Sequence, residues 1–138
     1  FFTRPRYLPL TKFLNSYVEK SNIAEGTIVE KARIIHSIVG LRSVIRSESV
    51  IEDSILMGND FYELPGSKRA AGSKAPHLGI GKDCYIKKAI VDKNVRIGNE
   101  VKILNKKNVQ EFENEYCVIR NGIVIIPKAT VIPSGTVI

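Results

Sequence analysis

Aliphatic residues recur every six positions through much of this chain. Ile126-Pro127-Lys128-Ala129-Thr130-Val131 is followed by Ile132-Pro133-Ser134-Gly135-Thr136-Val137 and then by Ile138. Each unit opens on Ile, holds a small residue near its middle and closes on Val. Upstream, Ile23-Ala24-Glu25-Gly26-Thr27-Ile28 and Val29-Glu30-Lys31-Ala32-Arg33-Ile34 repeat the plan. Val39, Ile45, Ile51 and Met57 continue it at intervals of six, after one slip in register between Ile35 and Val39. A second run carries Ile80 and Ile86, slips by one residue, and resumes at Val91, Ile97 and Ile103. A helix would space its apolar residues by three and four, and a half-buried strand by two. A six-residue period fits neither. It fits a triangular solenoid in which each unit is one short side and a corner, with one aliphatic per side pointing inward. Gly suits the tight corners, and Pro127 and Pro133 are admissible at the edge of a side.

Two stretches break the period. Residues 59–79 contain Gly66-Ser67-Lys68-Arg69-Ala70-Ala71-Gly72-Ser73-Lys74, which reads as a long exposed loop. Residues 105–121 are polar and irregular, with room for a short helical turn. Long insertions in a solenoid project from a corner and tend to be functional or contact-forming. Residues 1–12, holding Pro5 and Pro9, read as an extended connector from a preceding domain, which leaves 13–138 as the solenoid.

Composition narrows the function without naming it. The chain has 138 residues, enough for one domain with a real core. Its longest apolar run, around residues 122–126, is far too short to span a membrane. Cys84 and Cys117 lack metal-ligand spacing, and His36 and His77 are the only histidines, so neither a metal site nor a histidine-based catalytic centre is expected. Both cysteines read as small buried or half-buried residues. The net charge of +7 favours anionic partners. Nucleic acid is disfavoured, because no recognition motif and no basic-aromatic interleaving is present. A small phosphorylated ligand is the best specific partner that this charge suggests, beside the plain alternative of a basic solvated surface.

The wording of particular blocks goes further. Arg4-Pro5-Arg6-Tyr7-Leu8-Pro9, His36-Ser37-Ile38-Val39-Gly40-Leu41-Arg42-Ser43 and Ile51-Glu52-Asp53-Ser54-Ile55-Leu56-Met57-Gly58-Asn59-Asp60-Phe61-Tyr62-Glu63 resemble ADP-glucose pyrophosphorylases, the glucose-1-phosphate adenylyltransferases. So do Gly79-Ile80-Gly81, the segment from Ile90 to Gly98, and the closing Ile132-Pro133-Ser134-Gly135-Thr136-Val137-Ile138. The blocks stand in family order, cover nearly the whole chain, and look most like the small-subunit type of the plant and cyanobacterial branch.

The resemblance implies an all-β, left-handed parallel β-helix that forms the C-terminal domain of an enzyme making ADP-glucose and diphosphate from ATP and glucose 1-phosphate. The catalytic machinery, with its magnesium, belongs to an N-terminal domain, so catalysis and cofactors are not expected of this segment. Its implied partners are that catalytic domain, the other subunits of a homo- or heterotetramer, and small anionic effectors such as 3-phosphoglycerate and phosphate. The implied compartment is the plastid stroma or the bacterial cytoplasm. Residue by residue, the family's activator lysines fall on Lys93 and Lys128, with Asp92 matching a family residue beside the first. Arg6 matches an arginine near a family anion site, whereas Arg4 stands where the family often has Gln. Residues 59–79 depart from the family in length and charge. On spacing alone, each lysine reads as a solvated corner side chain.

Three rivals share the period. A hexapeptide-repeat acyltransferase would need a general-base histidine, for which His36 is the one repeat-embedded candidate. A mannose-1-phosphate guanylyltransferase-like protein has a comparable domain plan but lacks the Leu-Met-Gly block and the Ser-Gly-Thr-Val-Ile ending. A purely structural module is the third.

Overall fold

The computed structural model describes residues 12–63 and 76–138, and these form a three-sided parallel β-helix. The first face stacks β1 (Lys12–Leu14), β4 (Ile28–Glu30), β7 (Val44–Ile45), β10 (Gly79–Ile80), β13 (Arg96–Ile97) and β18 (Val131–Ile132). The second stacks β2 (Tyr17–Glu19), β5 (Arg33–Ile35), β8 (Val50–Glu52), β11 (Tyr85–Lys87) and β14 (Lys102–Ile103). The third holds β3 (Asn22–Ile23), β6 (Ile38–Val39), β9 (Ile55–Leu56), β12 (Ala89–Val91) and β17 (Ile123–Ile126), and is extended by β16 (Val118–Arg120) and β15 (Glu111–Glu113). Every pairing between coils is parallel; only β15–β16 and β16–β17 are antiparallel.

One aliphatic from each side fills the axis. Val29, Ile34, Val39, Ile45, Ile51, Leu56, Ile80, Ile86, Val91, Ile97, Ile103, Ile126 and Ile132 are all buried. Because each strand is only two to four residues long, a single inward side chain per side suffices, and stacking coils turns these side chains into a continuous core. The repeat read from the sequence thus places nearly every interior residue.

Met57 is the exception. It is 45% exposed, and the inward position belongs to its neighbour Leu56. The cause is the corner between the second and third faces, where a single left-handed residue makes the turn: Lys20, His36, Asp53 or Lys88. This corner takes one residue fewer than the two-residue turns at most other corners. The step from Ile51 to the next interior side chain is therefore five, as it is from Ile34 to Val39 and from Ile86 to Val91. The slips in the sequence repeat are this short corner.

Small residues close the corners from inside. Ser37 Oγ donates to Ile35 O at 2.8 Å and accepts Ser54 N–H at 3.2 Å from the next coil, while Ser37 N–H bonds Ser21 Oγ at 3.1 Å. Ser54 Oγ continues the ladder to Ala89 N–H at 3.3 Å. At the preceding corner Ser49 Oγ accepts from Cys84 N–H at 3.1 Å. Cys84 takes the ladder position of a serine, its Sγ 3.1 Å from Gly98 O, and burial pushes its thiol up. Cys117 is also buried. Each hydroxyl satisfies an amide that the short strands leave unpaired at a bend, which is why polar residues line an otherwise aliphatic tube.

Both insertions lengthen one coil. Residues one coil apart are normally separated by 16 or 17 positions, but by 35 across either insertion. The first leaves the corner between the third and first faces. Its described ends are tied down: Tyr62 Oη donates to Gly26 O at 2.8 Å, and Arg96 pairs with Glu63, which also contacts His77 Nδ1 at 2.9 Å. The second departs where the short corner would be, at Asn105. It forms strands rather than the irregular segment with a helical turn that its polarity suggests: β15 and β16 fold back antiparallel on β17. Cys117 and Ile119 are buried against the core, with Val109 and Tyr116 partly buried beside them.

Candidate anion-binding site

The corner between the third and first faces carries Asn94 and Ala129 in left-handed conformation on adjacent coils, and Arg42 likewise two coils before Asn94, across the coil from which the first insertion leaves. The residue before Asn94 is Lys93, and the residue before Ala129 is Lys128. Ala129 N–H bonds Lys93 O at 2.9 Å, so the two lysines occupy equivalent places on adjacent coils. The coil geometry therefore brings together two cations separated by an 18-residue insertion and a full turn of the helix. Both side chains are exposed. Asp92 is half-buried beside them, and its Oδ1 accepts Lys93 N–H at 2.6 Å, which fixes the backbone leading into the corner.

The first insertion leaves the solenoid at this same corner. Gly58, at φ +88, lies so close to Leu41 that any Cβ would strike its backbone, so only glycine lets the chain exit there. Asn59 is buried and anchors the exit, its N–H bonded to Leu41 O at 2.8 Å and its Nδ2 donating to Arg42 O at 2.9 Å. The next residue, Asp60, faces the lysines. Its Oδ1 lies 3.3 Å from Lys93 Nζ, its Oδ2 accepts from Asn94 Nδ2 at 3.0 Å, and its own N–H donates to Asn94 Oδ1 at 2.9 Å. The Asp60 carboxyl is held below the usual carboxylate range, first by the Asn94 hydrogen bond and then by Lys93, with the charge of Lys128 adding to both. One carboxylate thus feels both lysines.

Sequence reasoning pairs Lys93, Lys128 and Asp92, and the structure brings those three together. It missed Asp60 and Asn94 as members of the cluster. The sequence marks Asp60 only as the second residue of the stretch 59–79 that breaks the period, which does not place it beside the lysines. Arg4 and Arg6 lie outside the described residues.

The gap beneath the corner, lined by Ser43, Leu56, Asn59, Asp92 and Val95 among others, measures about 20 Å³. That is room for one water and no effector, so an anion would dock on the outer surface. A much larger cleft of about 560 Å³ lies between the antiparallel insertion and the last coil, over Leu104, Ile119, Val137 and Ile138, with Phe112 on its wall. Its floor is apolar and its two lysines, Lys106 and Lys107, are exposed.

His36 occupies a short corner, not an interior or cleft position. Its side chain is exposed and its Nδ1 lies 2.8 Å from Asp53 Oδ1 on the next coil. Its left-handed backbone gives it a structural job in the turn. Among the described residues no group of three His, Cys, Asp or Glu side chains is arranged to hold a metal ion.

Residues 6–137 match the protein family described as the GLGC left-handed parallel beta-helix domain. The match spans almost the whole chain and agrees with the stacked parallel faces, the inward aliphatic row and the absence of helix among the described residues. With the three-sided coil, its short corners and its family match in hand, the chain belongs to the left-handed β-helix domain family of glucose-1-phosphate adenylyltransferases, in which it corresponds to the C-terminal domain.

Proposed function

We propose that this domain is the regulatory and assembly part of an enzyme that makes ADP-glucose and diphosphate from ATP and glucose 1-phosphate, and that Lys93 and Lys128 receive its small phosphorylated effectors. The observation that carries the reading is the placement of both lysines at one corner of adjacent coils, around a carboxylate that both influence. Two ammonium groups converging on one point bind a dianionic phosphate better than either does alone. In the small-subunit type that the sequence resembles, 3-phosphoglycerate is the activator and phosphate the inhibitor. The mechanism is linkage: an effector with different affinities for two arrangements of solenoid and catalytic domain shifts their balance, with couplings of about 1–3 kcal/mol in such systems.

Catalysis and its magnesium belong, on this reading, to the N-terminal domain, in a plastid stroma or bacterial cytoplasm. The assembly role draws support from the first coil, where Phe13, Leu14, Tyr17 and Val18 are exposed together. Such a patch suits contact with a catalytic domain or a neighbouring subunit of a tetramer.

The test is an assay of the intact enzyme for ADP-glucose formation, with and without 3-phosphoglycerate, in wild type, Lys93→Ala and Lys128→Ala. Activation in wild type that is lost or strongly weakened in both variants supports the reading. Activation that survives both substitutions overturns the effector role and leaves an assembly domain.

A further inference from the structure

We propose that the Asp60 carboxylate is a built-in occupant of the lysine corner, which an incoming anion must displace, so that the site selects multiply charged phosphorylated ligands over singly charged carboxylates. The inference rests on the anion-site reading above and extends it to how the site is regulated.

Asp60 belongs to no coil. It stands on the exit stem of the first insertion, two residues beyond the glycine that lets the chain leave, so its place is set by the insertion and not by the repeat. Asn94 holds it at two points, through the Asp60 N–H and through Oδ2, and this leaves Oδ1 turned to Lys93. The carboxylate therefore sits where the negative end of a ligand between Lys93 and Lys128 would sit.

The contact is also breakable. The Lys93 and Asp60 side chains are 45% and 47% exposed, and an exposed pair of this kind adds little to stability. Water can therefore replace either partner at small cost, and so can a stronger anion. A monocarboxylate offers the lysines one negative charge in exchange for the one already there, and gains almost nothing. A phosphate monoester brings close to two, along with three acceptor oxygens, and so wins the exchange. Even when displaced, Asp60 stays near the corner through its backbone bond to Asn94, and its charge continues to repel weak competitors.

The experiment uses the intact enzyme and Asp60→Asn, which keeps the size of the side chain and an oxygen for Asn94. Half-saturating concentrations of 3-phosphoglycerate and inorganic phosphate are measured by activation and by calorimetry, with acetate as a monoanionic competitor. The expected result is roughly two- to fivefold tighter binding of both phosphorylated probes, the range set by loss of one exposed ion pair, together with acetate competition that wild type lacks. Asp60→Ser must reproduce the direction, and Asp60→Glu must restore wild-type selectivity. Unchanged or weaker binding in Asp60→Asn overturns the proposal, since Asp60 would then merely position Lys93. Parallel Lys93→Ala and Lys128→Ala variants separate the two failures. If they abolish the response while Asp60→Asn has no effect, only this inference falls; if they leave the response intact, the anion site itself falls.

Discussion

Two insertions interrupt the solenoid, each carrying the chain from one coil to its stacking partner over 35 residues, yet they do opposite things. The first leaves between the third and first faces, and its described ends lie over the outside of the coils. It contributes Asp60 to the lysine corner and ties itself down by Tyr62 and Glu63. The second leaves at Asn105 and folds back on β17, burying Cys117 and Ile119 against the apolar axis. A parallel coil exposes a raw sheet edge and an open core at its end, both of which invite unwanted association. The antiparallel strands β16 and β15 cover one such edge. The difference teaches that where an insertion exits decides its role: over a face it can bring charge to a site, and over the end it can supply core.

The sharpest break in this comparison is at Ile119. Ile119→Ala removes a buried side chain from the folded-back insertion and should destabilise the domain by about 2–5 kcal/mol, read as a lower denaturant midpoint at unchanged slope. A loss below about 1 kcal/mol would mean that the insertion does not cap the core.

The first insertion should matter far less to stability. Tyr62→Phe deletes one partly buried hydrogen bond to Gly26 O and should cost about 0.5–1.5 kcal/mol in the same measurement. An effect as large as that of Ile119→Ala would erase the distinction between the two insertions.

The smallest effect is electrostatic. Because the Asp60 carboxyl is lowered in the folded chain, its contacts with Asn94 and Lys93 are fully present above the ordinary carboxylate range. They are lost only as pH falls through the lowered value. Carboxyl-carbon NMR should show Asp60 titrating below a free aspartate, and Asn94→Ala and Lys93→Ala should each raise its midpoint. A midpoint unmoved in either variant would mean that the residue removed does not hold the carboxylate.

Much of the fold was legible because one inward aliphatic per side leaves a direct trace in the sequence. Ile45, Ile51, Ile80, Ile86, Val91, Ile97 and Ile103 fall on the repeat and are buried. Met57 was misplaced because a strict count of six ignores the short corner at Asp53, whose left-handed backbone uses one residue where most other corners use two. The residues from 105 to 121 looked irregular because β15 reads Glu-Phe-Glu with all three side chains exposed, so burial leaves no pattern on it. In the lysine corner, Lys93, Lys128 and Asp92 came from family resemblance, and the equivalence of two adjacent coils gives that pairing a physical cause. Asp60 could not be read in advance, since its position depends on the direction in which the chain leaves Gly58, and no periodicity encodes that.

The most direct test of the lysine corner is calorimetric titration of the intact protein with 3-phosphoglycerate, in wild type, in Lys93→Ala, in Lys128→Ala and in the double variant. The account predicts clear binding in wild type that weakens with rising salt, as exposed charges require. It also predicts a large loss in each single variant, with the double variant little worse than either because one ligand needs both ammonium groups. Binding that persists unchanged in the double variant would contradict the account and place the effector elsewhere.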